Sequence, residues 1–158
     1  MPDYLKSIDF PYDYSVEVSG DGLETKICIA DPPINFACDG IVRYNDQLYL
    51  LEIKTSEFNS WSDMINPKSE HIDQVLCYST LLKLEHILMM YQERQYGAIK
   101  CYELRVSPAQ QQGVFDKINR VMNAVKTNIA PEGLPKGDKW CQNSSYCPYH
   151  EKCKEYGK

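Results

Sequence analysis

A chain of 158 residues, 43% hydrophobic and 25% charged, is long enough for one globular domain with a real core and requires no second. Its net charge of −5, from 22 acidic against 17 basic residues, argues against tight nonspecific DNA binding, so any nucleic-acid contact would need a local basic patch. No run approaches the roughly 18 apolar residues of a membrane span, and the opening MPDYLKSIDF has neither the basic nor the apolar region of a secretory signal, so the expectation is a cytoplasmic protein with no membrane partner.

Along the chain, YSVEVS at residues 14–19 alternates as a strand and GDG follows as a turn; a second strand runs through ETKICIA to about Ala30. After the break at DPP, strands are expected over Phe36 to Tyr44 and Gln47 to Thr55, joined at Asn45-Asp46, which makes a β-meander. The stretch NPKSEHIDQVLCYSTLLKLE reads as a helix with Asn66 as N-cap and Pro67 at its first position, burying Ile72, Val75, Leu76 and Leu82. Two strands, HILMMYQ and AIKCYELRV, flank a turn at ERQYG. A second helix opens at Ser107-Pro108, with Phe115, Ile118, Val121, Met122 and Val125 at helical spacing. The expected organisation is residues 1–134 as one α/β domain and 135–158 as a cysteine-rich tail packed on it.

Three charges interrupt the hairpin CDGIVRYNDQLYLLEIKTSE, residues 38 to 57. A turn centred on Asn45-Asp46 sets Asp39 opposite Glu52, where directly paired residues share a face with Cβ atoms about 4.5–5.5 Å apart. Alternation brings Lys54 to that face. Two carboxylates so close repel, and a hard divalent cation, Mg²⁺ or Mn²⁺, resolves the conflict. Lys54 can then orient or deprotonate an attacking water, or offset charge building on a phosphate. The competing expectation is a solvated strand face with ordinary turn chemistry at Asp-Gly. Glu52 and Lys54 lie among YLL, Ile53 and Thr55, in a strand that reads as largely buried, where unpaired charge is expensive.

CDGIVRY with Asp39, LLEIKTS with Glu52 and Lys54, HIDQVLCYSTLL with Gln74 and Tyr78, and the terminal WCQNSSYCPYHEKC together resemble the PD-(D/E)XK nuclease superfamily, and within it the RecB-like exonucleases, over about residues 34 to 153. The resemblance implies a restriction-endonuclease-like core, a central mixed β-sheet flanked by helices. It implies metal-dependent cleavage of DNA, at single-stranded or duplex ends, in recombination, repair or replication. Asp39, Glu52 and the main-chain carbonyl of Ile53 would bind the catalytic metal, and Lys54 would serve the water. Gln74 and Tyr78 match the family's Gln-x-x-x-Tyr motif, the glutamine holding Lys54 or DNA and the tyrosine a phosphate. Glu17 stands near an acidic position of the family's early strand.

Members of this branch often carry a 4Fe–4S cluster on four cysteines, one far upstream and three near the C-terminus. Here Cys141, Cys147 and Cys153 are spaced C-x5-C-x5-C, with the first interval stretched. The family's upstream cysteine and leading helix have no counterpart, which leaves the fourth ligand open. Either Cys28 or Cys38 completes an iron–sulfur cluster, or His150 joins Cys141, Cys147 and Cys153 as a tetrahedral zinc set. A polar tail with little core would draw its folding energy from that metal. His71 and His86 have no partner motif; His71, in the first turn of the motif helix, could face the cleft but is expected to be solvated, and Cys38 is expected in the core. Two alternatives stand beside an active nuclease. One is a nuclease-like subunit that binds DNA or a protein partner in a recombination or replication complex with little catalysis. The other is a small zinc-binding interaction protein.

Overall fold

The computed structural model of the chain describes residues 14–18, 25–129, 147–149 and 152. Three strands, β1 (Tyr14–Val18), β2 (Thr25–Ile29) and β3 (Ile34–Cys38), form an antiparallel sheet in the order β1-β2-β3. Four more, β4 (Gly40–Tyr44), β5 (Gln47–Ser56), β6 (His86–Glu93) and β7 (Ile99–Arg105), form a mixed sheet in the order β4-β5-β6-β7. Within it β5 and β6 are parallel, which demands a crossover. That crossover carries α1 (Phe58–Ser62) and α2 (Ser69–Leu81); α3 (Pro108–Thr127) follows β7. The architecture is thus mixed α/β, with a central mixed sheet flanked by helices.

The β4–β5 hairpin closes on Asn45 and Asp46, both with positive φ (48° and 60°), as a two-residue type I′ turn requires. That turn sets the register Tyr44↔Gln47 through Gly40↔Leu51, the register expected from the sequence. The expected strand from Phe36 to Tyr44 does not run through. It breaks at Asp39, so β3 belongs to one sheet and β4 to the other. The physical reason is local: Asp39 Oδ2 accepts the Ile53 N–H at 2.6 Å, taking the place of the main-chain rung that would continue the ladder past Gly40↔Leu51.

The core lies between the mixed sheet and α2, which packs against β5 and β6. Leu50, Ile87, Met89 and Tyr91 from the sheet and Val75, Leu81 and Leu82 from the helix end are at most 1% exposed, each worth about 1.5–3 kcal/mol of apolar burial. Of the expected α2 stripe, Val75 and Leu82 are fully buried and Ile72 and Leu76 half-buried; Ser79 and Thr80 are buried as well. Ser79 is accommodated because its hydroxyl donates to the Leu84 carbonyl.

The helix also starts later than its Asn-Pro signal suggests. Lys68 is the N-cap, extended at ψ 140°, with no side-chain cap. Its N–H goes to the Tyr91 hydroxyl at 3.3 Å, a tertiary bond that holds the chain extended past Pro67. Helix α1, not expected from the sequence, rests on Lys100. The ammonium meets the carbonyls of Trp61, Ser62 and Met64 at 2.7, 3.0 and 3.0 Å and lies 4.5 Å from the Trp61 ring centroid. A cation at a helix C-terminus satisfies carbonyls that the helix leaves open.

The chain divides into two compact units, residues 1–116 and 117–158, and α3 crosses from one to the other. The expected boundary between 134 and 135 falls outside the described residues. On α3, Phe115, Ile118 and Met122 are half-buried, whereas Val121 and Val125 are 50% and 71% exposed. Among the described residues no helix is long and apolar enough to cross a membrane.

Candidate functional site

Alternation along β5 puts Leu50, Glu52, Lys54 and Ser56 on the face that α2 covers. Leu50 is core, so the strand carries Glu52 into the protein: its residue is 3% exposed. Lys54 sits nearer the rim, with 23% of its side chain exposed. Its ammonium donates to Glu52 Oε1 at 2.5 Å and to Gln74 Oε1 of α2 at 3.0 Å. Gln74 Nε2 in turn donates to the Tyr78 hydroxyl at 2.9 Å, and the Tyr78 ring stacks on Phe36 of β3 at 4.9 Å and 17°. Glu52, Lys54, Gln74 and Tyr78 therefore form one hydrogen-bonded chain from strand to helix.

Asp39 joins this chain from the break between the sheets. Its carboxylate lies against the main chain of Ile53 rather than standing out from a strand face, because no strand continues there. Along an extended strand a residue's N–H and C=O point to the same edge, so the Ile53 carbonyl opens on the side from which Asp39 approaches. Glu52 and Asp39 are close enough to repel. Burial pushes the Glu52 carboxyl above the ordinary range and Asp39 adds to the shift, while the Lys54 ammonium opposes both. Cys38, 1% exposed with its thiol 3.9 Å from the Thr25 carbonyl, is pushed up to about 12 by burial first and then by Glu52 and Asp39. It is a core thiol and no nucleophile.

Glu52 Oε2 is buried without a hydrogen-bond partner. A carboxylate oxygen removed from water and left unpaired costs several times what an ordinary hydrogen bond returns. Its setting suits a hard cation, with Asp39 and the Ile53 carbonyl as further oxygen donors. Among the described residues no group of three or more His, Cys, Asp or Glu side chains gathers at one point. A cation here would therefore rest on two carboxylates and main chain and keep several waters, the habit of Mg²⁺.

Two more residues complete the picture: His71, and Tyr91, which the sequence did not single out. His71, expected to be solvated, is half-buried, with Nδ1 2.8 Å from the Tyr91 hydroxyl. Tyr91 is 1% exposed and pairs with Lys54 across the β5–β6 ladder. The spacing of His71, Gln74 and Tyr78 at i, i+3 and i+7 signals one helix face, but their strand partners become visible only in the fold. His86 is also half-buried, its ring tilted against Tyr49 at 5.2 Å and its Nδ1 3.5 Å from Glu103. Of the expected tail ligands, Cys147 is half-buried, and Cys141, His150 and Cys153 lie outside the described residues, as does any cluster or zinc they would hold. The side chain of Glu17 lies outside them too.

No protein-family model matches the chain, and no curated protein does. Among solved structures it is similar to one described as the crystal structure of SSO0001, at 21% sequence identity and a TM-score of 0.49. The match covers 93% of this chain, which spans 65% of the other. A likeness this distant is no basis for assigning an activity.

Proposed function

We propose that the chain is a Mg²⁺- or Mn²⁺-dependent deoxyribonuclease whose working residues are Asp39, Glu52, the Ile53 carbonyl, Lys54, Gln74 and Tyr78. The observation that carries the reading is the unpaired, buried Oε2 of Glu52 beside Asp39 and Lys54. An isolated carboxylate would be neutralised by protonation or placed in solvent; a site built to receive a cation keeps such an oxygen free. When bound, a divalent cation supplies Lewis acidity to a phosphate and lowers the pKa of a bound water.

The chain's own groups do the rest. Glu52 and Asp39 hold the cation, and the Ile53 N–H fixes the Asp39 carboxylate in place. Lys54 has three donors; Glu52 and Gln74 engage two. The third remains for an attacking water or a phosphate oxygen. Gln74 keeps that donor aimed, and Tyr78 keeps Gln74 aimed. The family resemblance supports DNA as the substrate and ends as the point of attack, in recombination, repair or replication. It also supports an iron–sulfur cluster on Cys141, Cys147 and Cys153, whereas the alternative, zinc held by these with His150, rests on the chemistry of that ligand set.

Calorimetric titration of chelator-treated protein with Mn²⁺, run beside a DNA cleavage assay, tests the reading. Wild-type protein is expected to bind one ion at this site and to cleave. Asp39→Asn is expected to weaken that binding at least tenfold and to lose cleavage in parallel. Cleavage that survives in Asp39→Asn at full strength contradicts the site.

A further inference from the structure

Lys54 and Tyr91 stand side by side on the parallel β5–β6 ladder, and each reaches the same helix. Lys54 meets Gln74 at 3.0 Å, and the Tyr91 hydroxyl meets His71 Nδ1 at 2.8 Å. His71 and Gln74 are three residues apart and share a helix face, so the two contacts form adjacent rungs between sheet and helix. The roles assigned above use only the first rung.

Hydrogen-bond direction in the second rung fixes the state of the imidazole. The Lys68 main-chain N–H donates to the Tyr91 oxygen at 3.3 Å, and an N–H can do nothing else. Tyr91 is 1% exposed, so a hydroxyl that also accepted from His71 would leave its own proton buried without an acceptor. The phenol therefore donates to Nδ1, and the ring carries its proton on Nε2. The two rings stack at 5.7 Å and 27°, which holds the orientation. Burial, then the nearby Lys54 charge and Lys68, favour the neutral ring against the opposing pull of Glu70. His71 thus offers a fixed, uncharged N–H donor next to Lys54. A second hydrogen bond is gained there without a second cation beside the first.

We infer that His71 is a substrate-binding residue, donating its Nε2–H to a non-bridging phosphate oxygen of the nucleic-acid backbone beside the phosphate that Lys54 serves. The inference rests on the nuclease reading. Its test is steady-state cleavage of a labelled oligonucleotide in Mn²⁺ by wild type, His71→Ala, His71→Gln, Tyr91→Phe and the double variant His71→Ala/Tyr91→Phe, with a melting curve for each. His71→Ala is expected to raise KM about tenfold, the effect of one lost hydrogen bond to a charged group, with a smaller fall in kcat. His71→Gln, whose amide can present an N–H where Nε2–H stood, is expected to recover most of that loss. Tyr91→Phe frees the ring to change tautomer; it is expected to raise KM alone and to add nothing further to His71→Ala.

An unchanged KM in His71→Ala, in a wild type that cleaves, overturns this inference and leaves the nuclease reading standing. Equal losses in the alanine and glutamine variants that follow their melting temperatures do the same, reducing His71 to a strut. A folded, Mn²⁺-loaded wild type that cleaves nothing overturns the nuclease reading and this inference together.

Discussion

Glu52 concentrates the physics of the site in one side chain, since it is buried, repelled by Asp39, and paired through only one of its oxygens. A carboxyl whose proton is held more tightly in the folded chain than in the unfolded one makes stability fall as pH rises through its folded value. Without metal, the wild type is therefore expected to lose stability relative to Glu52→Gln as pH rises above the ordinary carboxyl range, since the variant has no proton to give up. Removing the charge also costs Lys54 a partner, but that ammonium keeps Gln74 and is 23% exposed to water, so relief of burial wins. At pH 7 in chelator, Glu52→Gln is expected to melt about 2–4 °C higher, the scale of ~1 kcal/mol in a protein of this size. Excess Mn²⁺ should raise the wild type and leave the variant unmoved. Melting curves across pH, with and without Mn²⁺, check both; a variant less stable at every pH would make Glu52 an ordinary ion-pair residue. Of these residue-scale features, the charges at 39, 52 and 54 were legible in the sequence because they interrupt an apolar pattern. The contact of His71 with Tyr91 was not, because Tyr91 comes from a strand 20 residues on and looks like core.

Among the elements, the β4–β5 hairpin shows why register could be read. A two-residue turn leaves one pairing, so Tyr44↔Gln47 follows from Asn45-Asp46 and the positions of Asp39 and Glu52 follow from that. Asp46 holds φ at 60°, a region that glycine enters without steric cost. Asp46→Gly is expected to stabilise the chain by about 0.5–1 kcal/mol and Asp46→Val to destabilise it by more than 1 kcal/mol. Urea midpoints give the comparison, and a stabilising valine would mean the turn differs from the one described. What the hairpin pattern could not reveal is where β4 ends. Apolar residues lie on both sides of Asp39, from Phe36 to Cys38 and at Ile41 and Val42, so the stretch reads as one strand, and the ladder stops where Asp39 captures the Ile53 N–H. The late start of α2 and the existence of α1 escaped for the same reason: Tyr91 and Lys100 act on them from distant strands.

For the whole molecule, most of the strands, α2, α3 and the mixed α/β class followed from periodicity and turn chemistry, because those are local. Division of the strands into two sheets did not, since it turns on one side chain at the crossing point. The cysteine-rich tail makes a separate claim on the chain's stability: if it folds around metal, Cys147→Ser is expected to lower the protein's iron or zinc content and its melting temperature together. Elemental analysis with a visible spectrum distinguishes cluster from zinc, and unchanged metal content and melting in the variant would remove the site. The central claim is that Asp39, Glu52 and Lys54 form a hydrolytic centre. Cleavage of end-labelled single- and double-stranded DNA in Mn²⁺ tests it most directly, with EDTA and Lys54→Ala as paired controls and DNA binding measured beside them. The expected result is metal-dependent release of label by the wild type, lost in EDTA and lost in Lys54→Ala although that variant still folds and binds DNA. Undiminished cleavage by Lys54→Ala, or none by folded and Mn²⁺-loaded wild type, would contradict it; the second outcome would leave a nuclease-like binding subunit.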